Sequence, residues 1–215
     1  MKQSMTEYTM QKLSQEIYLK DPFEIAKKHL LGAYLCTYVN DELTVGKIIE
    51  LEVYMGAEDK GAHTYNYRRT PRVESCYKQG GCAYVFFIYG MHYHFNVVIA
   101  EKDDPKAILI RAIEPVKGLE VMQKRRCMTD IRQLTNGPGK LCQALGITKS
   151  FDGMDLTGDM IWIAPRTDEI RAEDIVATPR IGIGYAEEYK HKEWRFVLKN
   201  AVGVKKSVRY EDDLK

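Results

Sequence analysis

The spacing of apolar residues changes near residue 32, and that change organises the chain. Upstream, Phe23, Ala26 and Leu30 fall on one helical line, with Leu31 beside them. Asp21 is a good N-cap, Pro22 suits the first helical position and Glu24 stands three after the cap. Gly32 closes the pattern, so a helix is expected over 22–31. Downstream, strands are expected at 33–39 and 43–53, joined by an Asn40-Asp41 turn. Further strands are expected at 83–88, 93–100, 107–113, 161–164, 180–183 and 194–198. Helices are expected at 118–127 and from about 140 to 145. The strands do not alternate with helices, which argues against a doubly wound parallel sheet. The expected fold is α+β: a single domain with a curved, mainly antiparallel β core and surrounding helices. No repeat, low-complexity segment or linker interrupts it. The domain is expected at 21–204, with an N-terminal extension at 1–20 and a C-terminal tail at 205–215.

Composition adds exclusions. The 215 residues suit one domain with a sizeable core, and 45% hydrophobic with 29% charged residues is ordinary for a globular protein. No apolar run approaches the roughly 18 residues of a membrane span. Residues 1–20 are polar and lack the apolar stretch of a secretory leader, so a cytoplasmic protein is expected, nucleoid-associated if bacterial. The five cysteines are odd in number and none are spaced Cys-x-x-Cys, which argues against a disulfide framework or zinc cluster. A net charge of +2 does not itself indicate a nucleic-acid partner. Its distribution is more suggestive. Lys60, Arg68, Arg69, Arg72 and Lys78 fall in a stretch whose only acid is Glu74, and Lys124, Arg125, Arg126 and Arg132 form a second group. Such groups suit a phosphate backbone, or are solvated surface runs.

Five segments carry candidate chemistry. In Glu50-Leu51-Glu52-Val53-Tyr54, strand period puts Glu50, Glu52 and Tyr54 on one side. One of the carboxylates, shielded from water, suits a general base; alternatively both pair with lysines on an exposed edge. The run from Tyr84 to Asn96 is dense in aromatics around Tyr89-Gly90-Met91. It is either an aromatic core hairpin or a set of rings that wedge into and stack on bases. His92 and His94 share a face, but His-x-His is a weak metal motif without further ligands. Arg111, inside the apolar run 108–113, needs an ion pair with Glu50, Glu52 or Glu114, or an anion. Asn136-Gly137-Pro138-Gly139-Lys140 lacks P-loop spacing and is a plain helix-entry turn or a phosphate-binding one. Pro179-Arg180-Ile181-Gly182-Ile183-Gly184 allows close backbone approach, or is a glycine-weakened edge strand.

Taken in order, with Ala62-His63 and Thr70-Pro71-Arg72 between them, these segments resemble the alkyladenine (3-methyladenine) DNA glycosylase family over roughly residues 21–200. The resemblance implies a DNA-repair enzyme that flips alkylated or deaminated purines from double-stranded DNA. It would hydrolyse the N-glycosidic bond without metal, cofactor or Schiff-base lysine, and act as a monomer. It implies Glu52 as the base that activates water, with Arg111 and the Ile183 carbonyl holding that water. Tyr54 and His63 would line the base pocket, Phe86 would stack from the other side and Asn96 would lie at the wall. Tyr89 would be the wedge, with Met91, Thr70, Arg72, Lys140 and Arg180 on the DNA-contacting surface. Two departures stand out. Phe86 occupies a position where relatives often carry tyrosine, and Val53 one where a smaller alanine is common. Two other classes compete. One is a non-catalytic damage binder, which an ion-paired carboxylate would favour. The other is a metal-dependent hydrolase built on His92 and His94.

Overall fold

Strand β2 (Glu42–Tyr54), thirteen residues long, is the hub of the fold. The computed structural model describes residues 11–88, 90–199 and 201. Strand β1 (Tyr34–Val39) pairs with the first half of β2 through a tight turn, in which Asn40 and Asp41 take φ of 54° and 61°. Strands β3 (Ala83–Ile88), β4 (His92–Ile99) and β5 (Lys106–Lys117) form an antiparallel run, and β5 lies along the other edge of β2. Strand β6 (Ile161–Ala164) pairs with β1. Strand β7 (Ile175–Thr178) pairs with β8 (Arg195–Leu198), which joins the second half of β2 beyond β1. The result is an eight-stranded, antiparallel sheet in an α+β domain.

Two-sided burial of the hub follows from its sequence. Leu51 and Val53 are wholly buried on one face, and Glu52 is wholly buried on the other. The pairing of β2 with β5 is not regular. Glu50 opposes Ala112 and Leu51 opposes Ile110, so Arg111 is an extra residue at a bulge. A bulge bends a strand and redirects a side chain, and here the redirected side chain is the arginine of the otherwise apolar run 108–113.

Helices cover the sheet. The first, α1, begins as an α-turn at Pro22–Glu24 and continues as a π-helical stretch, Ile25–Leu30. The Asp21 carboxylate caps it, accepting from the Phe23 and Glu24 N–H groups at 3.0 and 2.9 Å. Helix α2 (Leu119–Arg126) is flanked by Gly118 and Cys127, both left-handed, and α3 (Ile131–Leu134) follows. Helix α4 (Pro138–Leu145) packs on β4 and α2.

One expected strand needs correction. Residues 180–183 do not form a strand; 175–178 do. The Ile181 N–H is committed to a side chain rather than a neighbouring strand, and Gly182 turns the backbone with φ of 80°. The described part of the expected N-terminal extension, 11–20, packs against the core. Leu13 and Tyr18 are buried, the Leu13 N–H donates to the Ile163 carbonyl of β6 at 2.9 Å, and Tyr18 accepts from Ala100. The segment thereby covers polar backbone that β6 would otherwise expose. Cys36, Cys76, Cys82 and Cys142 are buried free thiols, and Cys127 is exposed. Among the described residues, no helix is long and apolar enough to cross a membrane.

Candidate active site

A cavity of about 470 Å³ opens between the β3–β4–β5 face and the loops at 61–64 and 181–185. Its volume lies within the range of small-ligand sites, roughly 300–1,000 Å³. Tyr54, His63, Phe86 and Asn96, expected at a base pocket, and Arg111 and Ile183, expected to hold a water, all line it.

Glu52 stands immediately behind this wall, with no exposed surface. Three partners hold its carboxylate, and all three residues line the cavity. The Tyr54 hydroxyl donates to Oε2 at 2.8 Å, the Ile181 N–H donates to Oε1 at 2.8 Å, and Arg111 Nη1 lies 3.3 Å from Oε1. Arg111 also donates through Nε to Glu50 at 2.9 Å, and Arg195 approaches Glu50 at 3.8 Å. The carboxylates are therefore neither on an exposed edge nor paired with lysines. A buried carboxylate is tolerable only when it is satisfied in this way.

These contacts set the ionisation of the partners. Burial disfavours the Arg111 charge, but the Glu52 and Glu50 carboxylates outweigh it and hold its pKa above the ordinary value. Burial, followed by the Glu52 charge, pushes the Tyr54 phenol well above its usual range, so the phenol donates. On the aromatic wall, burial followed by Arg111, His92 and His63 lowers the His94 pKa to about 4. His63 keeps exposed surface at the mouth. Desolvation of its ring, with Arg72 and Arg68 adding to it, lowers its pKa as well.

The wall differs from expectation in one respect. Phe86 does not face His63 across the cavity. The two rings meet edge to face with centroids 4.6 Å apart, and Tyr84 buttresses both, its hydroxyl 3.0 Å from His63 Nδ1. His63, Tyr84 and Phe86 thus form one continuous wall, joined by His94 at 5.3 Å from Phe86. Asn96 is buried there, donating to the Tyr84 carbonyl at 3.1 Å. The Ile183 carbonyl already accepts from the Ala186 N–H at 2.9 Å, and the backbone group from that loop that reaches Glu52 is the Ile181 N–H.

The residues expected on the DNA side divide. Met91 is 69% exposed and Arg72 is exposed, its guanidinium donating to the Phe87 carbonyl at 2.9 Å. Thr70 and Lys140 are half-buried, with Lys140 Nζ 2.8 Å from Asn136 Oδ1 at the start of α4. Arg180 is not on the surface: its side chain has no exposed area and is ion-paired with Asp59. Tyr89 lies outside the described residues. Among those described, no cluster of three or more His, Cys, Asp or Glu side chains is placed to hold a metal ion, and His94 packs on Phe86 instead. Asp59 escaped sequence reasoning, and Tyr84 was read only as the start of an aromatic run, with no role of its own. Asp59 sits in a charged run that reads as solvated surface, and its partner is 121 positions away.

Comparison with known proteins extends the geometry. The family model described as Methylpurine-DNA glycosylase (MPG) matches residues 16–202. A protein of Clostridium novyi (strain NT) is 44% identical over 205 residues, 92% of this chain and 100% of that one. One of Clostridium acetobutylicum is 46% identical over 196 residues, covering 87% and 94% of the two chains. One of Bacillus cereus (strain AH820) is 47% identical over 188 residues, covering 83% and 91%. All three carry the name "Putative 3-methyladenine DNA glycosylase". An α+β domain matched along this much of its length is a DNA glycosylase, a monofunctional hydrolase of N-glycosyl bonds. The chain belongs to the methylpurine-DNA glycosylase family.

Proposed function

We propose that the protein flips alkylated or deaminated purines of the 3-methyladenine, 7-methylguanine and hypoxanthine class out of duplex DNA into this cavity. It then hydrolyses the N-glycosidic bond with water activated by Glu52. The observation that carries this reading is a wholly buried carboxylate whose three partners all line a ring-walled cavity. Buried carboxylates are costly, and one placed against a cavity serves chemistry better than stability.

The sequence of events follows from the chemistry. An alkylated purine such as 3-methyladenine is cationic, hence both a good leaving group and a good partner for electron-rich rings. Tyr54 and the His63–Phe86 wall supply those rings, and Asn96 lies at their side. Little acid catalysis is then needed. Glu52 takes a proton from water and its charge stabilises the oxocarbenium-like sugar. The water reaches Oε1 or Oε2 once the damaged nucleotide shifts the Tyr54 hydroxyl or the Arg111 guanidinium, since catalytic contacts commonly form only in the complex. Arg111 and the Ile183 carbonyl are assigned to hold that water. For a neutral base such as hypoxanthine, the His63 backbone N–H donates to the ring, and adenine is rejected because its amino group offers a second donor there. The wedge role of Tyr89 rests on the sequence resemblance, and the contacts of Met91, Thr70, Arg72 and Lys140 with DNA rest on position.

The ion pair to Arg111 favours a second reading of Glu52 alone, in which it serves the fold and another group activates water. Base release from alkylated and from hypoxanthine-containing duplexes tests the substrate class. Free purine from either, with an abasic strand left uncut, is expected. Retention of both bases on duplexes that the protein binds would overturn it.

A further inference from the structure

One buried charge pair ties both loops at the cavity to the strand that carries Glu52. Asp59 and Arg180 have no exposed side-chain area. Arg180 Nη2 donates to Asp59 Oδ1 at 2.7 Å, while Nη1 donates to Oδ2 and to the Val53 carbonyl of β2. The guanidinium lies over the Tyr54 ring at 4.5 Å and the Trp194 ring at 5.0 Å. Asp59 in turn accepts from the Met55 N–H at 3.1 Å and the Gly61 N–H at 2.8 Å. The neighbours of the pair in sequence are walls of the cavity. Gly61, Ala62 and His63 follow Asp59, and Ile181, whose N–H reaches Glu52, follows Arg180.

A charge pair removed from water is a weak source of stability, because desolvation offsets the attraction. Its two-pronged geometry is a strong source of direction, since the planar fork fits a carboxylate in one orientation. We infer that Asp59 and Arg180 form a positioning pair for base excision. The pair holds the Ile181 N–H on Glu52 and the Tyr54 ring against the cavity, and so fixes the direction of the carboxylate. This rests on the reading of Glu52 as the base. Neither member touches the damaged nucleotide; both act through Glu52 and Tyr54.

A positioning pair governs rate rather than affinity. Single-turnover base release at saturating protein and affinity for the same alkylated duplex are compared for the native chain, Arg180→Lys and Asp59→Asn, each with its thermal midpoint. The rate is expected to fall about a hundredfold, the scale of a misplaced reacting group, with affinity unchanged. A rate equal to native in a folded variant overturns the pair. So does lost affinity with the saturated rate intact, which would make Arg180 a DNA contact after all. Because these variants alter the interior, Ile181→Pro is measured beside them. It removes the N–H donated to Glu52 without altering either side chain of the pair, at a residue that is 50% exposed. It is expected to lose rate in the same way, and full activity in it overturns the proposal even where the Arg180 variants fail to fold. Glu52→Gln in parallel separates the two claims. Release retained by Glu52→Gln removes the base assignment. Release lost there but kept in the other variants removes only the positioning pair.

Discussion

His94 sits in the cavity wall with its pKa lowered to about 4, chiefly by burial and then by Arg111, His92 and His63. An unfolded histidine titrates near 6.5. Between those values the unfolded chain binds a proton that the native chain refuses, so stability is lost as pH falls from about 6.5 to about 4. Denaturant unfolding between pH 7 and 4 is expected to show that loss, and His94→Gln is expected to lose less of its own pH 7 stability. An identical slope in the variant would show that His94 does not contribute. Phe86 offers a second test. Phe86→Tyr adds a ring hydroxyl to the cavity wall and is expected to change the ratio of hypoxanthine to alkylpurine release more than alkylpurine release itself. An unchanged ratio would show that the hydroxyl has no part in substrate choice. Part of the candidate site was legible because its pattern is local, although the choice of Glu52 over Glu50 came from the family resemblance. Glu52 and Tyr54 share a strand face, and an arginine amid apolar residues announces a partner. Arg180 was not legible, because nothing near it in sequence says that Asp59 waits to bury its charge.

At the level of elements, β2 controls the site because it touches β1, β5 and β8 together. Gly46 marks how closely β2 and β5 approach. A side-chain carbon there would overlap the side chain of Ile113. Gly46→Ala is therefore expected to cost about 1–3 kcal/mol by overpacking, read from urea unfolding. No loss would mean that Ile113 has room to move. Seven of the eight strands were legible from period-two patterning and turn residues, and two helix starts from Asp21 and Gly118, whereas the strand at 175–178 and the helix start at Pro138, two residues before the expected one, were not. The misread segment, 180–183, alternates much as a strand does. What removes it from the sheet is tertiary: one backbone N–H goes to a carboxylate on β2, and a glycine turns the chain. The bulge at Arg111 was equally invisible, because register depends on two strands rather than one.

Across the whole molecule, the basic groups seen in sequence are partly neutralised by the protein itself. Arg69 is held by Glu74 and Asp103, Lys60 by Glu187 and Glu188, and Arg125 approaches Glu42 at 3.5 Å. A count of cations therefore overstates the phosphates that the surface can engage. Affinity for damaged duplex is still expected to fall with salt, by about 0.9 log units per log unit of salt for each phosphate neutralised. Arg72→Ala is expected to reduce that slope by about one, and a flat response in the native chain would contradict a phosphate-dominated contact. The most direct test of the central claim is single-turnover release of 3-methyladenine from duplex DNA by the native chain and by Glu52→Gln, with duplex affinity measured on both. The account predicts release by the native chain, none by Glu52→Gln, and equal binding. Release by Glu52→Gln at the native rate would contradict it.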